Sequence, residues 1–208
     1  TKTGYTFGGY YDSTSYTTQY ISANGFITSA GLTAGKALKS NGTWYAKWTA
    51  NTYNIKYVLN SGTAGSSKPT TATYNKAFTV SNPTRSGYTF AGWDITGMDS
   101  VTHTYGSATT TSTSISGTKA TSFKNLHSTS GSTVTLTANW TLDTYTITYK
   151  DGDSTISGLT PTSYNVEAAV NLPTVVYKST KKFVSWHTDS ALTSAAVTQI
   201  AKGTTGNK

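Results

Sequence analysis

Thr43-Trp44-Tyr45-Ala46-Lys47-Trp48-Thr49-Ala50-Asn51-Thr52-Tyr53-Asn54-Ile55-Lys56-Tyr57 returns as Thr135-Leu136-Thr137-Ala138-Asn139-Trp140-Thr141-Leu142-Asp143-Thr144-Tyr145-Thr146-Ile147-Thr148-Tyr149. Trp48 to Trp140 is 92 residues, and so is Tyr53 to Tyr145. Within each copy apolar and polar residues alternate, which is the period of a strand with one buried face. A second block, Gly4-Tyr5-Thr6-Phe7-Gly8-Gly9-Tyr10, returns as Gly87-Tyr88-Thr89-Phe90-Ala91-Gly92-Trp93, and in weaker form around Lys182-Phe183-Val184-Ser185-Trp186. Similarity at a fixed period means an array of like modules. Such arrays serve length, display or multivalency rather than one buried active site.

Composition agrees with a β array. The 208 residues are 35% apolar, with 15 Tyr and 5 Trp, and about a third are Ser or Thr. Thr, Tyr and Trp suit a pleated, half-buried surface, whereas Glu and Leu are scarce. The regularly spaced aromatics bury enough area to order the chain. Sixteen basic against eight acidic residues give a formal charge of +8. Lys181-Lys182 is the only adjacent basic pair, and no basic tract is interleaved with aromatics, so a nucleic-acid partner is not expected. Without cysteine there is no disulfide, thiolate nucleophile or cysteine metal site. No apolar run approaches 18 residues, so no membrane insertion by a helix is expected.

Three segments follow. Residues 1–49 read as the second half of a module, with strands over 4–11 and 43–48 and a turn at Ser40-Asn41-Gly42. Residues 50–141 read as a complete module. Its strands are expected over 53–59, 74–80, 88–93 and 132–140, with turn chemistry at Asn82-Pro83-Thr84-Arg85-Ser86-Gly87. Inside it, 97–132 is a Ser/Thr-rich insertion, read as a hairpin punctuated by Val101, Tyr105, Ile115, Phe123 and Leu126. Residues 142–208 read as the first half of a third module, with strands over 145–150, 164–172 and 183–186 and a short helix or loop over 191–200. The chain begins inside a repeat block and is expected to be an internal piece of a longer protein.

These blocks resemble the Listeria–Bacteroides repeat, the internalin-type B repeat of bacterial surface proteins. The residues that carry the resemblance are Tyr53-Asn54-Ile55-Lys56-Tyr57, then Pro83-Thr84-Arg85-Ser86-Gly87-Tyr88-Thr89-Phe90-Ala91-Gly92-Trp93, then Leu136-Thr137-Ala138-Asn139-Trp140. The third module departs from the pattern where Lys178-Ser179-Thr180-Lys181-Lys182 stands for Arg-x-Gly-Tyr. The resemblance implies tandem, mainly β, small β-grasp-like modules with an aromatic core. It also implies export to the cell surface and a non-catalytic role in spacing or adhesion.

Catalytic chemistry has few residues to draw on. The histidines are His103, His127 and His187, and no Gly-x-Ser-x-Gly elbow occurs. Asp151-Gly152-Asp153 is the only close acid pair, and it reads as a polar turn rather than a Ca²⁺ loop. No catalytic, cofactor or metal site is expected. The repeated aromatics Tyr57, Tyr88, Phe90, Trp93, Trp140, Tyr149 and Trp186 read as core, because every module must fill those positions. Trp44 has Leu136 as its counterpart, and alternation puts Tyr45 and Lys47 on the other face from Trp44 and Trp48. Tyr10, Tyr11, Trp44, Tyr45 and Lys47 are therefore the candidate glycan or partner contacts. The expected function is a structural spacer or adhesive module, and a carbohydrate-binding module is the alternative. The expected partners are neighbouring copies or segments of the same protein, with cell-surface or host glycans under the alternative. The complementary end halves also suggest head-to-tail association into a filament through β-strand contacts.

Overall fold

The computed structural model describes residues 1–33, 43–175 and 182–208. The expected turn at 40–42 and the Lys178–Lys181 part of the third module's departure lie outside them.

The described chain is mainly β, with one short helix. The first segment holds β1 (Tyr5–Tyr11), β2 (Gln19–Ile21), the short α1 (Ser29–Thr33) and β3 (Tyr45–Ala50). They form an antiparallel sheet in the order β2-β1-β3. Gly8 and Gly9 interrupt its register between Phe7 and Tyr10, as a bulge does. The complete module begins with β4 (Thr52–Val58), β5 (Thr71–Thr73), β6 (Phe78–Thr79) and β7 (Tyr88–Thr96). It continues with β8 (His103–Tyr105), β9 (Ala108–Thr110), β10 (Ile115–Thr118) and β11 (Ser122–Lys124), and closes with β12 (Thr133–Leu142). Its main sheet runs β10-β7-β12-β4-β5, and a second sheet runs β6-β11-β8-β9. Among the described residues the third segment has two-residue strands alone: β13 (Tyr145–Thr146), β14 (Lys150–Asp151), β15 (Ser154–Thr155), β16 (Ser163–Tyr164), β17 (Val170–Asn171) and β18 (Gln199–Ile200).

The first and closing strands of the complete module are parallel neighbours, with Ile55 opposite Val134 and Tyr57 opposite Leu136. Tyr53, Ile55, Val134, Leu136 and Ala138 are buried, which is the alternation read from the sequence. The third segment repeats the pattern on a smaller scale. The Tyr57 hydroxyl donates to Pro69 O at 2.9 Å, and the Tyr149 hydroxyl to Pro161 O at 2.8 Å. Tyr53 lies opposite Ala72 and Tyr145 opposite Tyr164, so the offset of 92 holds across the pairing. Lys208 N donates to Thr146 O and Lys208 O accepts from Thr148 N, as a parallel strand beside Tyr145–Thr148 does.

Several strands differ from expectation. Of the stretch 74–80 only Phe78–Thr79 is strand, and a turn at Asn75, which has φ of 63°, precedes it. Asparagine tolerates this left-handed conformation. Residues 183–186 form no strand, and Trp186 makes only a bridge to Val197. The stretch 191–200 is a turn leading into β18. The insertion is more than one hairpin. β8 and β9 form the hairpin, β10 joins the main sheet and β11 joins the second. Asp151-Gly152-Asp153 is the expected turn, between β14 and β15.

By contacts the chain divides into two compact units. The first comprises Thr1–Asn60, Ala64–Asn82 and Gly92–Asn139, and the second Ser61–Thr63, Pro83–Ala91 and Trp140–Lys208. The first unit's fully buried side chains include Trp93, Tyr53, Phe123, Ile95, Leu126 and His103. Both His103 nitrogens face carbonyl oxygens, Asn125 O at 2.5 Å and Asp99 O at 2.7 Å, which ties the insertion together. The second unit has a core of Ile147, Tyr149, Tyr164 and Ile200, with Trp186, Val170 and Leu172 against it.

Burial pushes the Tyr53 and Tyr57 phenols up to about 12. A raised folded value favours the neutral phenol, so stability is full below pH 10 and declines as pH rises from about 10 towards 12. Alkaline titration followed by phenolate absorbance should show a late-ionising class, and Tyr53→Phe should shrink it. An unchanged late class in that variant would place Tyr53 in solvent.

Trp93 is 1% exposed and Val184 88%. Trp93→Ala should cost about 3–5 kcal/mol in denaturant unfolding, whereas Val184→Ala should stay within about 0.5 kcal/mol. Equal midpoints for the two variants would remove Trp93 from the core.

Candidate functional site: a clasp built twice

Lys2-Thr3-Gly4-Tyr5 and Arg85-Ser86-Gly87-Tyr88 are the same tight turn. Tyr5 N donates to Lys2 O, and Tyr88 N to Arg85 O, each at 3.1 Å. Gly4 has φ of 78° and Gly87 of 76°, the left-handed region required at the third position of a type II turn. In both turns the cation lies over the aromatic ring that follows. Lys2 Nζ is 4.2 Å from the Tyr5 ring centre, and Arg85 Cζ is 3.6 Å from that of Tyr88.

Each turn grips the start of the next module. Asn51 N donates to Gly4 O at 2.8 Å, and Asp143 N to Gly87 O at 3.0 Å. Thr6 Oγ1 donates to Asn51 Oδ1 at 2.6 Å, and Thr89 Oγ1 to Asp143 Oδ1 at 2.7 Å. A Cβ on Gly4 would fall inside the Tyr74 ring, and one on Gly87 against the Val166 side chain. Asn51 and Asp143, and Tyr74 and Val166, are each 92 positions apart. The same clasp therefore occurs twice, once wholly within each compact unit.

The sequence reading missed the clasp, although its signal was present. Asn51 and Asp143 stand at matching places in the repeated stretch, and both are short side chains that can accept through Oδ1.

The candidate contact residues fall into two groups on the β2-β1-β3 sheet. Tyr10 packs with Trp44 and Phe7, at ring-centre separations of 6.3 and 5.2 Å, and Phe7 with Trp48 at 5.0 Å. On the other face Tyr11 lies opposite Tyr45 in register. There Lys47 Nζ stands 5.2 Å from the Tyr11 ring centre and 5.6 Å from that of Tyr16. A sugar stacking on these two rings would compete with the ammonium already over them. Of the repeated aromatics, Tyr57 pairs with Trp93 at 6.0 Å, Phe90 with Trp140 at 5.6 Å and Tyr149 with Trp186 at 5.0 Å. Tyr88 is half-buried in the second clasp, and its hydroxyl donates to Glu167 Oε1 at 2.8 Å. That bond, with some burial, pushes its phenol up.

One further cluster escaped the sequence reading. Ser185 Oγ lies 2.9 Å from His187 Nε2, and His187 Nδ1 2.8 Å from Ser194 O. A carbonyl cannot donate, so Nδ1 carries the proton of the neutral ring and Nε2 accepts from the Ser185 hydroxyl. Asp189 fastens the same loop by accepting from Thr193 N and Ser194 N, and hydrogen bonds led by that to Ser194 hold its carboxyl well below the usual range. Among the described residues no group of three or more His, Cys, Asp or Glu side chains is placed to hold a metal ion.

Like β modules joined through a repeated clasp define a tandem-repeat protein. The chain belongs to the Listeria-Bacteroides repeat domain family, whose model matches residues 53–142 and again 145–208. It is thus a repeat region of the kind carried by bacterial surface proteins. No curated protein and no solved structure matches it.

Gly87→Ala meets two costs, about 1–2 kcal/mol for the left-handed backbone and about 1–3 kcal/mol for overpacking against Val166. Gly152, at φ of 59° with nothing near its missing Cβ, meets only the first. Thermal melts should therefore rank Gly87→Ala clearly below Gly152→Ala. Equal melting would mean that the turn does not press on Val166.

Proposed function

We propose that this chain is a non-catalytic spacer of a bacterial surface protein, working outside the cell, in which clasps fix each module against the next. The observation that carries this reading is the recurrence of one clasp at two module boundaries. A flexible tether needs no shared hydrogen bonds or close glycine contacts at its joints. A spacer that presents a distant segment at a set position does. Only four residues, 49–52 or 141–144, lie between the closing tryptophan of one module and the first tyrosine of the next, which suits stiffness. No described helix is long and apolar enough to cross a membrane.

The parallel pair of first and closing strands supports a β-grasp-like module, although no helix falls between β4 and β12. Association with neighbouring copies belongs to the same reading. The clasp joins a turn to the start of a following module, so a contact of this kind between copies would be heterologous and need not close. Adhesion through glycans at Tyr10, Tyr11, Trp44, Tyr45 and Lys47 has less support, because Lys47 already lies over the Tyr11 ring and over the neighbouring Tyr16.

The spacer reading is tested by spin labels on Thr49→Cys and Thr71→Cys, two exposed strand positions flanking the first clasp in a chain without native cysteine. A single narrow distance distribution is expected, broadening when Gly4→Val is added. A broad distribution in the parent chain would make the joint a tether and end the proposal.

The non-catalytic reading treats the Ser185–His187 pair as a loop fastening. A fluorophosphonate probe should leave Ser185 unlabelled at neutral pH. Labelling abolished by His187→Gln would turn the pair into an activated nucleophile.

A further inference from the structure

The two clasps differ in what surrounds them. In the first, the Tyr74 ring packs against Tyr5 at 5.8 Å, and Asn75 N donates to Asn125 Oδ1 at 2.6 Å. The matching strands pair Phe78 with Phe123 and Val170 with Ile200, so Asn125 corresponds to Lys202 and Asn75 to Glu167. The second clasp thus has a smaller side chain, Val166, where the first has a tyrosine, and two charges where the first has two amides.

A cleft of about 540 Å³ opens there, lined by Arg85, Ser86, Tyr88, Val166, Glu167 and Lys202, with Ser61 and Gly203 at its edge. All of these residues lie in the second compact unit. The volume is within the usual range for small-molecule sites. Arg85 is the only arginine in the chain and Glu167 the only glutamate. Among the described residues neither Arg85 nor Lys202 has a carboxylate within 4.0 Å. Stacking on Tyr88 occupies the face of the guanidinium and leaves its edge N–H groups for an oxyanion. Glu167 takes the Tyr88 hydroxyl on Oε1. Its other oxygen can accept from a ligand hydroxyl.

We propose that this cleft binds an acidic saccharide, with the sugar carboxylate on Arg85 and Lys202 and ring hydroxyls on Glu167 and Ser86. Two cations match one carboxylate, and a single acceptor carboxylate with nearby serines matches a polyhydroxylated ring. A neutral sugar would leave both cations without a partner, and a purely anionic ligand such as phosphate would meet Glu167 as a like charge. The site is separate from the spacer reading, since either could hold without the other.

The test is calorimetric titration of the whole chain with a hyaluronan tetrasaccharide, which carries carboxylates and no sulfate, and with a neutral chitin tetrasaccharide of the same length. Saturable binding is expected for the first alone. Arg85→Gln and Lys202→Gln should each weaken it at least roughly tenfold, the loss of one charged hydrogen bond. Val166→Tyr should abolish it by refilling the cleft as Tyr74 does, with the melting temperature kept. Lys119→Gln, at an exposed lysine that does not line the cleft, should change nothing. Absence of saturable binding, equal binding of the neutral sugar, retained binding in Val166→Tyr, or an equal loss in Lys119→Gln would each overturn the proposal.

Discussion

Ile55 and Val134 lie side by side in a parallel pair between strands separated by most of a module. Parallel neighbours cannot be joined by a tight turn, so everything between β4 and β12 is a crossover that must fold back to bring them together. Tyr53, Ile55, Val134 and Leu136 bury the shared face, and their alternation permits only one register, because a slip by one residue would expose all four. The pair also fixes where a module ends. β12 runs straight on towards the next first strand, so the closing strand of one module and the opening of the next are one stretch of chain.

The clasp depends on that continuity. Asn51 and Asp143 sit where one module passes to the next, and their backbone N–H groups would otherwise need another acceptor. A turn carbonyl from the preceding module accepts both, through Gly4 O and Gly87 O. Glycine is required at each turn for two independent reasons. Its backbone is left-handed, and a neighbouring side chain occupies the space of its Cβ. What packs on the glycine is free to change, as Tyr74 and Val166 do, because the backbone hydrogen bond does not use that side chain.

Much of this was legible in the sequence. Period-two alternation gave the buried face of the first strand, with Tyr53 and Ile55, and the recurrence of the aromatics gave the burial of Trp93. The family followed from long motifs with little freedom of composition. Other features were not legible because they depend on pairing partners distant in sequence. The stretch 74–80 looks extended from its aromatics, yet Asn75 turns the chain where Asn125 can accept its N–H. The insertion looks like one hairpin, but its strands are divided between two sheets by buried side chains such as Phe123 and Ile95. The contact between Ser185 and His187 arises from a loop closed by Asp189 and Ser194, and no spacing rule marks it.

The repeat period and the compact units do not coincide. The sequence repeats from first strand to closing strand, whereas each compact unit gathers a turn from one module with the opening of the next. Close contacts therefore occur at module boundaries as well as inside modules. Under the proposed spacer role, such contacts would stiffen the boundaries, where flexible linkers usually lie. The arrangement also gives each boundary its own chemistry at little cost to the joint. The second clasp keeps the turn hydrogen bond and the bond from the turn carbonyl to the next module, while replacing an aromatic and two amides with an aliphatic side chain and two charges. Divergence at those positions, which the shared hydrogen bonds do not use, is a route by which an array of like modules could acquire a site in one boundary and not in another.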